Sequence, residues 1–357
     1  MEILATRTVA LVGALHPAAR ELALALEDDP GVERVLGLSR HEPPLLGPKF
    51  EFVQAGPGDP GFAGALAGVD TVVLFPLIDA ADRNEDGRRA RVVEGTRQAL
   101  EAAAGAATVV LWSSGVVYGA HPDNPVPIPE TQPPRPNSEF PAAAVLAESE
   151  RIAVETGAAV VVLRGAGVWA PAWGTFLGRS LMAPALVGVK GQDPPLQCLA
   201  PADAVSALAL ATTGRLRGVY NVAPDDWVGA RAAARAAGRR RLEVSRRVAQ
   251  ATAERLWRAG MSAATAGELS YQTHPWVLDN AKLRQAGWAP TRTSAEAFAE
   301  AGRQLPGGVL VGGVQLRRSD VFRGAAAGLA LVAAVAVARR QARAARSTRP
   351  RRPAGPM

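Results

Sequence analysis

Ser113 and Ser114 close an apolar run, and Tyr118 follows four residues after Ser114. A hydroxyl and a phenol at that spacing can hold a substrate oxygen, with the phenol as general acid or base. Equally, serines in such a position can do no more than bond the loop backbone. Arg164, at the end of another apolar run, could meet an anionic group or form an internal ion pair. Asp203 opens the segment PADAVSALALA, where a carboxylate serves a ligand or caps a helix. Trp169 and Trp173 could wall a cleft or pack a core. Glu148 and Glu150 read as a solvated helix face. His16, His41, His121 and His274 show no metal-ligand spacing with the single cysteine, Cys198, or with acidic partners. No Ser-His-Asp or Cys-His order is present, and one cysteine excludes an internal disulfide framework.

The elements that must position these residues alternate. TVALV, ERVLGL, FEFVQA and DTVVLF are short β-branched runs, and AARELALALE between the first two has helical period. The series continues with a helix from about Arg88 to Ala104, a strand from Thr108 to Trp112, a helix from about Ala142 to Glu155 and a strand ending at Arg164. Continuous apolar strands linked by crossover helices indicate a doubly wound parallel sheet covered on both faces, a Rossmann-type α/β fold. The Pro-rich stretch from Pro122 to Pro141 reads as a long ordered loop. Beyond Trp169 shorter elements mix with Gly and Pro and suggest a smaller C-terminal substrate lobe. The expected division is a dinucleotide-binding domain over residues 1–168, a partly interleaved lobe over 169–304 and a tail over 305–357.

The chain has 357 residues, of which 48% are hydrophobic and 20% charged, a globular composition. Its net charge of +7 is misleading as a sign of nucleic-acid binding. From Arg317 to Met357 there are ten arginines and one aspartate, +9 in all, so the rest carries about −2 and no nucleic-acid partner is expected. Residues 324–338 (GAAAGLALVAAVAVA) are uncharged and flanked by Arg323, Arg339 and Arg340. As a helix they reach roughly 22 Å, short of a hydrocarbon core of about 30 Å. They read as a short span, an interfacial or partner-binding helix, or a plain frayed helix, followed by a disordered basic end. The first residues run straight into a strand with no cleavable apolar stretch, so the expected location is cytoplasmic, with membrane association possible only through 324–338.

A Rossmann phosphate loop needs glycines after the first strand for the tight turn, the approach of the pyrophosphate and helix packing. Here residues 12–19 read Val-Gly-Ala-Leu-His-Pro-Ala-Ala. Only Gly13 of three glycines is kept. Leu15 and His16 stand on the phosphate path, with the imidazole where a phosphate usually passes, and Pro17 suits the first helical position. The segment is either a degenerate cofactor loop or a turn that binds nothing. At the end of the second strand stand Ser39 and Arg40, and an arginine there favours a 2′-phosphate, hence NADP over NAD.

From Leu111 the text LWSSGVVYGAHPDNPVPIPETQPPRP resembles the extended short-chain dehydrogenase/reductases, the NAD-dependent epimerase/dehydratase family. Further matches are Glu94-Gly95-Thr96, Leu163-Arg164, Gln197 through Asp203, Tyr220 to Ala223, and DNAKLRQAGWAP from Asp279. The resemblance implies NAD(P) as cofactor, a small-molecule substrate or ligand, and often a homodimer through a bundle that includes the helix starting near Ala142. It also implies chemistry by a serine, a tyrosine and a lysine four residues after the tyrosine. Ser114 matches the serine, with Ser113 beside it as a ligand contact. The tyrosine and lysine align with Ala142 and Leu146, neither of which carries a proton. Gly56 replaces an aspartate and Ala200 a histidine, and Tyr118 matches a structural tyrosine. Three readings follow: a redox-impaired ligand-binding, sensor or auxiliary protein; an NADP-dependent oxidoreductase or epimerase with a relocated acid/base; and a membrane-proximal platform.

Overall fold

A computed structural model describes residues 6–43, 47–76, 85–156, 159–173, 175–182, 186–258, 266–305, 308–311 and 314–317. The apolar tail segment 324–338 lies outside the described residues. No helix among the described residues is long and apolar enough to cross a membrane.

The chain divides into two units, Met1–Met182 with Leu186–Leu305, and Ala183–Ala185 with Pro306–Met357. In the second, strands Gly308–Val311 and Val314–Arg317 pair antiparallel. The first is built on seven strands: β1 (Arg7–Val12), β2 (Val32–Ser39), β3 (Phe50–Gln54), β4 (Thr71–Leu74), β5 (Thr108–Ser114), β6 (Val160–Gly165) and β7 (Gly218–Val222). Their order across the sheet is β3-β2-β1-β4-β5-β6-β7, and every neighbouring pair is parallel. This is the doubly wound order, with its reversal between β1 and β4.

Successive strand residues face opposite sides, so these apolar runs feed two cores. Val9, Leu11, Val73 and Val110 join the first core, and Ala10, Val12, Val72, Leu74, Val109 and Leu111 the second. Helices α1 (Pro17–Glu27) and α4 (Pro201–Thr212) supply Leu22, Leu26 and Leu208 to the first. Helices α2 (Glu85–Ala102) and α3 (Pro141–Glu155) supply Leu100 and Ile152 to the second. After β6 the chain forms short strands, Leu186–Val189 paired with Arg241–Val244 and Pro195–Leu196 with Val228–Gly229, beside the returning β7. The Pro-rich loop is pinned at Ile128, whose N–H donates to Val277 O at 2.8 Å and whose carbonyl accepts from Asp279 N at 2.9 Å.

Gly13 follows β1 with φ +87°, and an added Cβ would stand 2.6 Å from the carbonyl oxygen of Phe75 at the end of β4. The close approach of the chain after β1 to the end of β4 therefore requires this glycine whether or not a phosphate binds. Gly13→Ala should cost about 1–3 kcal/mol through the left-handed backbone alone, with the contact to Phe75 added, measured as a lowered urea midpoint; an unchanged midpoint would contradict the close approach.

Candidate functional site

The sheet order directs attention to the carboxyl ends of β1 and β4, where open α/β sheets bind ligands. The first turn of α1 begins there. His16 is its N-cap: Nδ1 accepts the N–H of Ala18 at 3.1 Å. The ring stacks on Phe75 with centroids 5.3 Å apart and meets Trp173 edge-on at 6.2 Å. Trp173 in turn donates its indole N–H to Glu21 Oε1 of α1 at 2.8 Å. Other N–H groups of the turn are engaged as well. Those of Gly13 and Ala14 donate to Leu38 O, that of His16 to Gly13 O, and those of Ala19 and Arg20 to His16 O. Pro17 has none to give. The helix end that attracts anions in this fold is thus closed by the chain's own imidazole, while Leu15 is turned outward, 42% exposed. Burial pushes the His16 pKa down to about 4, and the acceptor role of Nδ1 fixes the neutral tautomer with its proton on Nε2. The unfolded chain takes up a proton that this site refuses as pH falls from the ordinary value towards 4, so acid in that window weakens the fold.

Beside this closed end a cleft of about 800 Å³ remains, floored by Val12, Leu74, Phe75 and Ala99 and edged by Arg40, Asp59 and Gln98. Ser39 is buried, its hydroxyl donating to His41 O. Arg40 bonds Asp59 Oδ2 at 3.1 Å and Pro57 O at 2.9 Å, and Asp59 also accepts the N–H of Gly56 at 2.8 Å. The Arg40 guanidinium, then the Gly56 N–H, hold the Asp59 carboxyl below its usual range. Gly56 thus supplies a backbone donor, and the acid of this corner stands three residues later, a residue that the sequence reading passed over.

At the far end of the cleft region, β5, β6 and α3 meet in a buried polar network. Ser113 Oγ donates to Glu150 Oε1 at 2.5 Å, and Arg164 reaches Glu150 Oε2 through Nε at 2.9 Å and a terminal nitrogen at 2.6 Å. The other guanidinium nitrogen donates to Tyr118 Oη at 2.8 Å, and Tyr118 donates to Asn221 Oδ1 at 2.9 Å. Arg164 is therefore an internal ion-pair residue. Glu150, expected on a solvated face, is 3% exposed, because α3 turns that side onto the ends of β5 and β6. Burial pushes the Tyr118 phenol up, against the opposing pull of Arg164. Ser114 caps the turn Gly115–Tyr118 and makes only long contacts of 3.4 Å, to Gly165 O and Val116 N. Ala142 is buried and Leu146 packs against the first core. Over the start of α3 lies Tyr271, fully buried, edge-on to Phe140 at 5.4 Å and donating to Val116 O at 2.7 Å. Asp203 caps nothing: Ala200 is the N-cap of α4, and the Asp203 carboxylate accepts from Thr291 N, Thr291 Oγ1 and Arg292 N. Trp169 packs on Phe298 and donates to Gln197 O.

Solved structures share this fold. MoeE5 in complex with UDP-glucuronic acid and NAD is 20% identical, with a TM-score of 0.64 over 83% of this chain and 99% of that one. UDP-glucuronic acid 4-epimerase from Bacillus cereus, with UDP-glucuronic acid and NAD, is 14% identical, TM-score 0.62, over 83% and 98%. The dTDP-glucose 4,6-dehydratase DesIV from Streptomyces venezuelae, with NAD bound, is 21% identical, TM-score 0.63, over 83% and 96%. The chain has the extended short-chain dehydrogenase/reductase fold. Among curated sequences, an uncharacterized protein of Mycobacterium tuberculosis is 29% identical over 311 residues, 82% of each chain. No family model matches the chain.

In short-chain dehydrogenase/reductase terms, the structure gathers the sequence-flagged residues into two groups. Gly13, Leu15 and His16 lie in the turn after β1, and Ser39 and Arg40 at the end of β2. Ser113, Ser114, Ala142 and Leu146 lie around β5 and α3. The His16–Phe75 stack and the Glu150–Arg164 pair carried no motif, because each joins residues far apart in the chain. Glu150→Ala strands a buried guanidinium and should cost about 3–5 kcal/mol in urea denaturation, whereas Glu150→Leu with Arg164→Met should recover most of it. A loss under about 1 kcal/mol for the single variant would contradict the buried pair.

Proposed function

We propose that this protein is a ligand-binding member of the extended short-chain dehydrogenase/reductases that transfers no hydride and acts as a sensor or auxiliary protein. The observation that carries this reading is the His16 Nδ1 bond to Ala18 N–H at 3.1 Å, under the ring of Phe75. A pyrophosphate at the first turn of α1 draws on N–H groups, and here those of Ala18, Ala19 and Arg20 are spent within the chain. The residues present do not fit an intact dinucleotide in this arrangement. Arg40 is bonded to Asp59, which removes the support that its position gave to NADP over NAD.

The chemistry end supports the same reading. Ala142 and Leu146 offer no proton carrier at the aligned positions. A relocated acid/base finds no candidate in Ser113 or Tyr118, both buried and already bonded. Tyr271 has its phenol pushed up by burial and its proton committed to Val116 O. The similar solved proteins hold NAD, two of them together with UDP-glucuronic acid; on this reading the present chain keeps the nucleoside end of that frame and gives up hydride transfer.

The test is the nicotinamide absorbance of the full chain with NADH or NADPH, and with their oxidised forms, in the presence of UDP-glucose, UDP-glucuronic acid or dTDP-glucose. No change above the protein-free background is expected. Chain-dependent oxidation or reduction of any of the cofactors overturns the reading.

A further inference from the structure

We infer that His16 is a specificity-determining residue that converts the nucleotide groove into a site for an uncharged purine nucleoside, a ligand ending at its ribose. The inference rests on the reading above and names the ligand class of that site. Three observations lead to it.

The first is closure by the imidazole. A ligand that entered the cleft and continued along α1 would have to displace the ring from Ala18 N–H, from the face of Phe75 and from the edge of Trp173. A diphosphate gains at a helix N-terminus only by charge-assisted bonds to free donors. Here it would first have to break the cap that already serves them, so a ligand with no phosphate loses nothing that the site still offers.

The second is charge. The charged residues lining the cleft are Arg40, Arg91, Asp59 and Glu94, which sum to zero. Arg40, the cation at the end of β2, is bridged to Asp59 at 3.1 Å. A polyanion would be desolvated here without a matching positive excess, whereas a neutral ligand suits the balance. The Arg40 side chain remains 59% exposed despite the bridge, so its planar guanidinium can stack on an aromatic base. The floor of Val12, Leu74 and Phe75 supplies the apolar surface opposite.

The third is space kept open on a helix. Gly95 lies within α2 and lines the cleft, where glycine costs a helix about 1 kcal/mol relative to alanine. A Cβ there would meet nothing nearer than Pro57 at 3.7 Å. The protein's own packing does not require this glycine. Its absent side chain leaves the cleft wall flat, and at about 800 Å³ the cleft is in the range of small-molecule sites.

The test is calorimetric titration of the full chain at neutral pH with adenosine, ADP-ribose and NADH. Wild type should bind adenosine and bind ADP-ribose and NADH at least tenfold more weakly. Gly95→Leu, which fills the cleft from a helix position, should abolish the adenosine heat while unfolding cooperatively at no lower temperature. His16→Gly should gain at least tenfold in ADP-ribose affinity by freeing the first turn of α1. His16→Ser should gain likewise and keeps a good N-cap residue, so it stands in if the glycine variant fails to fold. Wild-type binding of ADP-ribose as tight as that of adenosine overturns the inference, as does an absence of adenosine heat, or folded His16 variants with unchanged selectivity. NADH binding as tight as that of adenosine, without turnover, would sink this inference alone and leave the non-redox reading standing; turnover in the absorbance assay sinks that reading itself.

Discussion

A helix that starts at the carboxyl edge of a parallel sheet leaves its first N–H groups without partners inside the helix, and something must accept them. In a dinucleotide-binding sheet the acceptor is the ligand's phosphate. In this chain it is His16, whose Nδ1 takes the N–H of Ala18. The bond fixes the neutral tautomer, presents the ring to Phe75 and Trp173, and through Trp173 and Glu21 ties the segment after β6 back onto α1. Gly13 makes the geometry possible by letting β1 pass under the carbonyl of Phe75. The Ala18 N–H is thereby satisfied without a ligand, and a cleft lies beside it.

At the opposite end the balance is also internal. The frame's acid/base pair has no counterpart at Ala142 and Leu146, and the volume above α3 is taken by Tyr271, Phe140 and Trp276, packed edge to face. Below it, Glu150 and Arg164 bury opposite charges with Ser113, Tyr118 and Asn221 satisfying the remaining bonding positions. A buried pair of this kind gives little net stability but makes loss of one partner expensive, so it holds β5, β6 and α3 in register. On the proposed reading, the two ends together describe a scaffold whose reactive positions have been turned into packing and capping.

The sheet was legible from the sequence because its strands are continuous apolar runs and its helices keep their period, so TVALV, DTVVLF and AVVVLR each appear as the strand they suggest. That Ala142 and Leu146 carry no acid or base was legible too, since it is visible in the letters. His16 could be seen as an obstruction, but not as a cap, because its role depends on Phe75 and Trp173, distant in sequence and brought near by the fold. Glu150 was misplaced for a related reason. A glutamate in a helix reads as solvated unless a buried cation is known to face it, and Arg164 comes from the next strand. Asp203 read as a cap because it opens a helix, whereas the segment at Thr291 that it holds arrives 88 residues later. Asp59 escaped notice because its partners, Arg40 and the N–H of Gly56, are joined by a turn with no motif.

The central claim is that the neutral imidazole of His16 serves as the acceptor that closes the phosphate end, and ring-nitrogen NMR of the full chain tests it most directly, with His16→Asn to assign the signal. The account predicts an Nε2–H tautomer at neutral pH with Nδ1 unprotonated, holding until about pH 4. A His16 ring that carries its proton on Nδ1, or that titrates near 6.5 as an exposed histidine does, would contradict it.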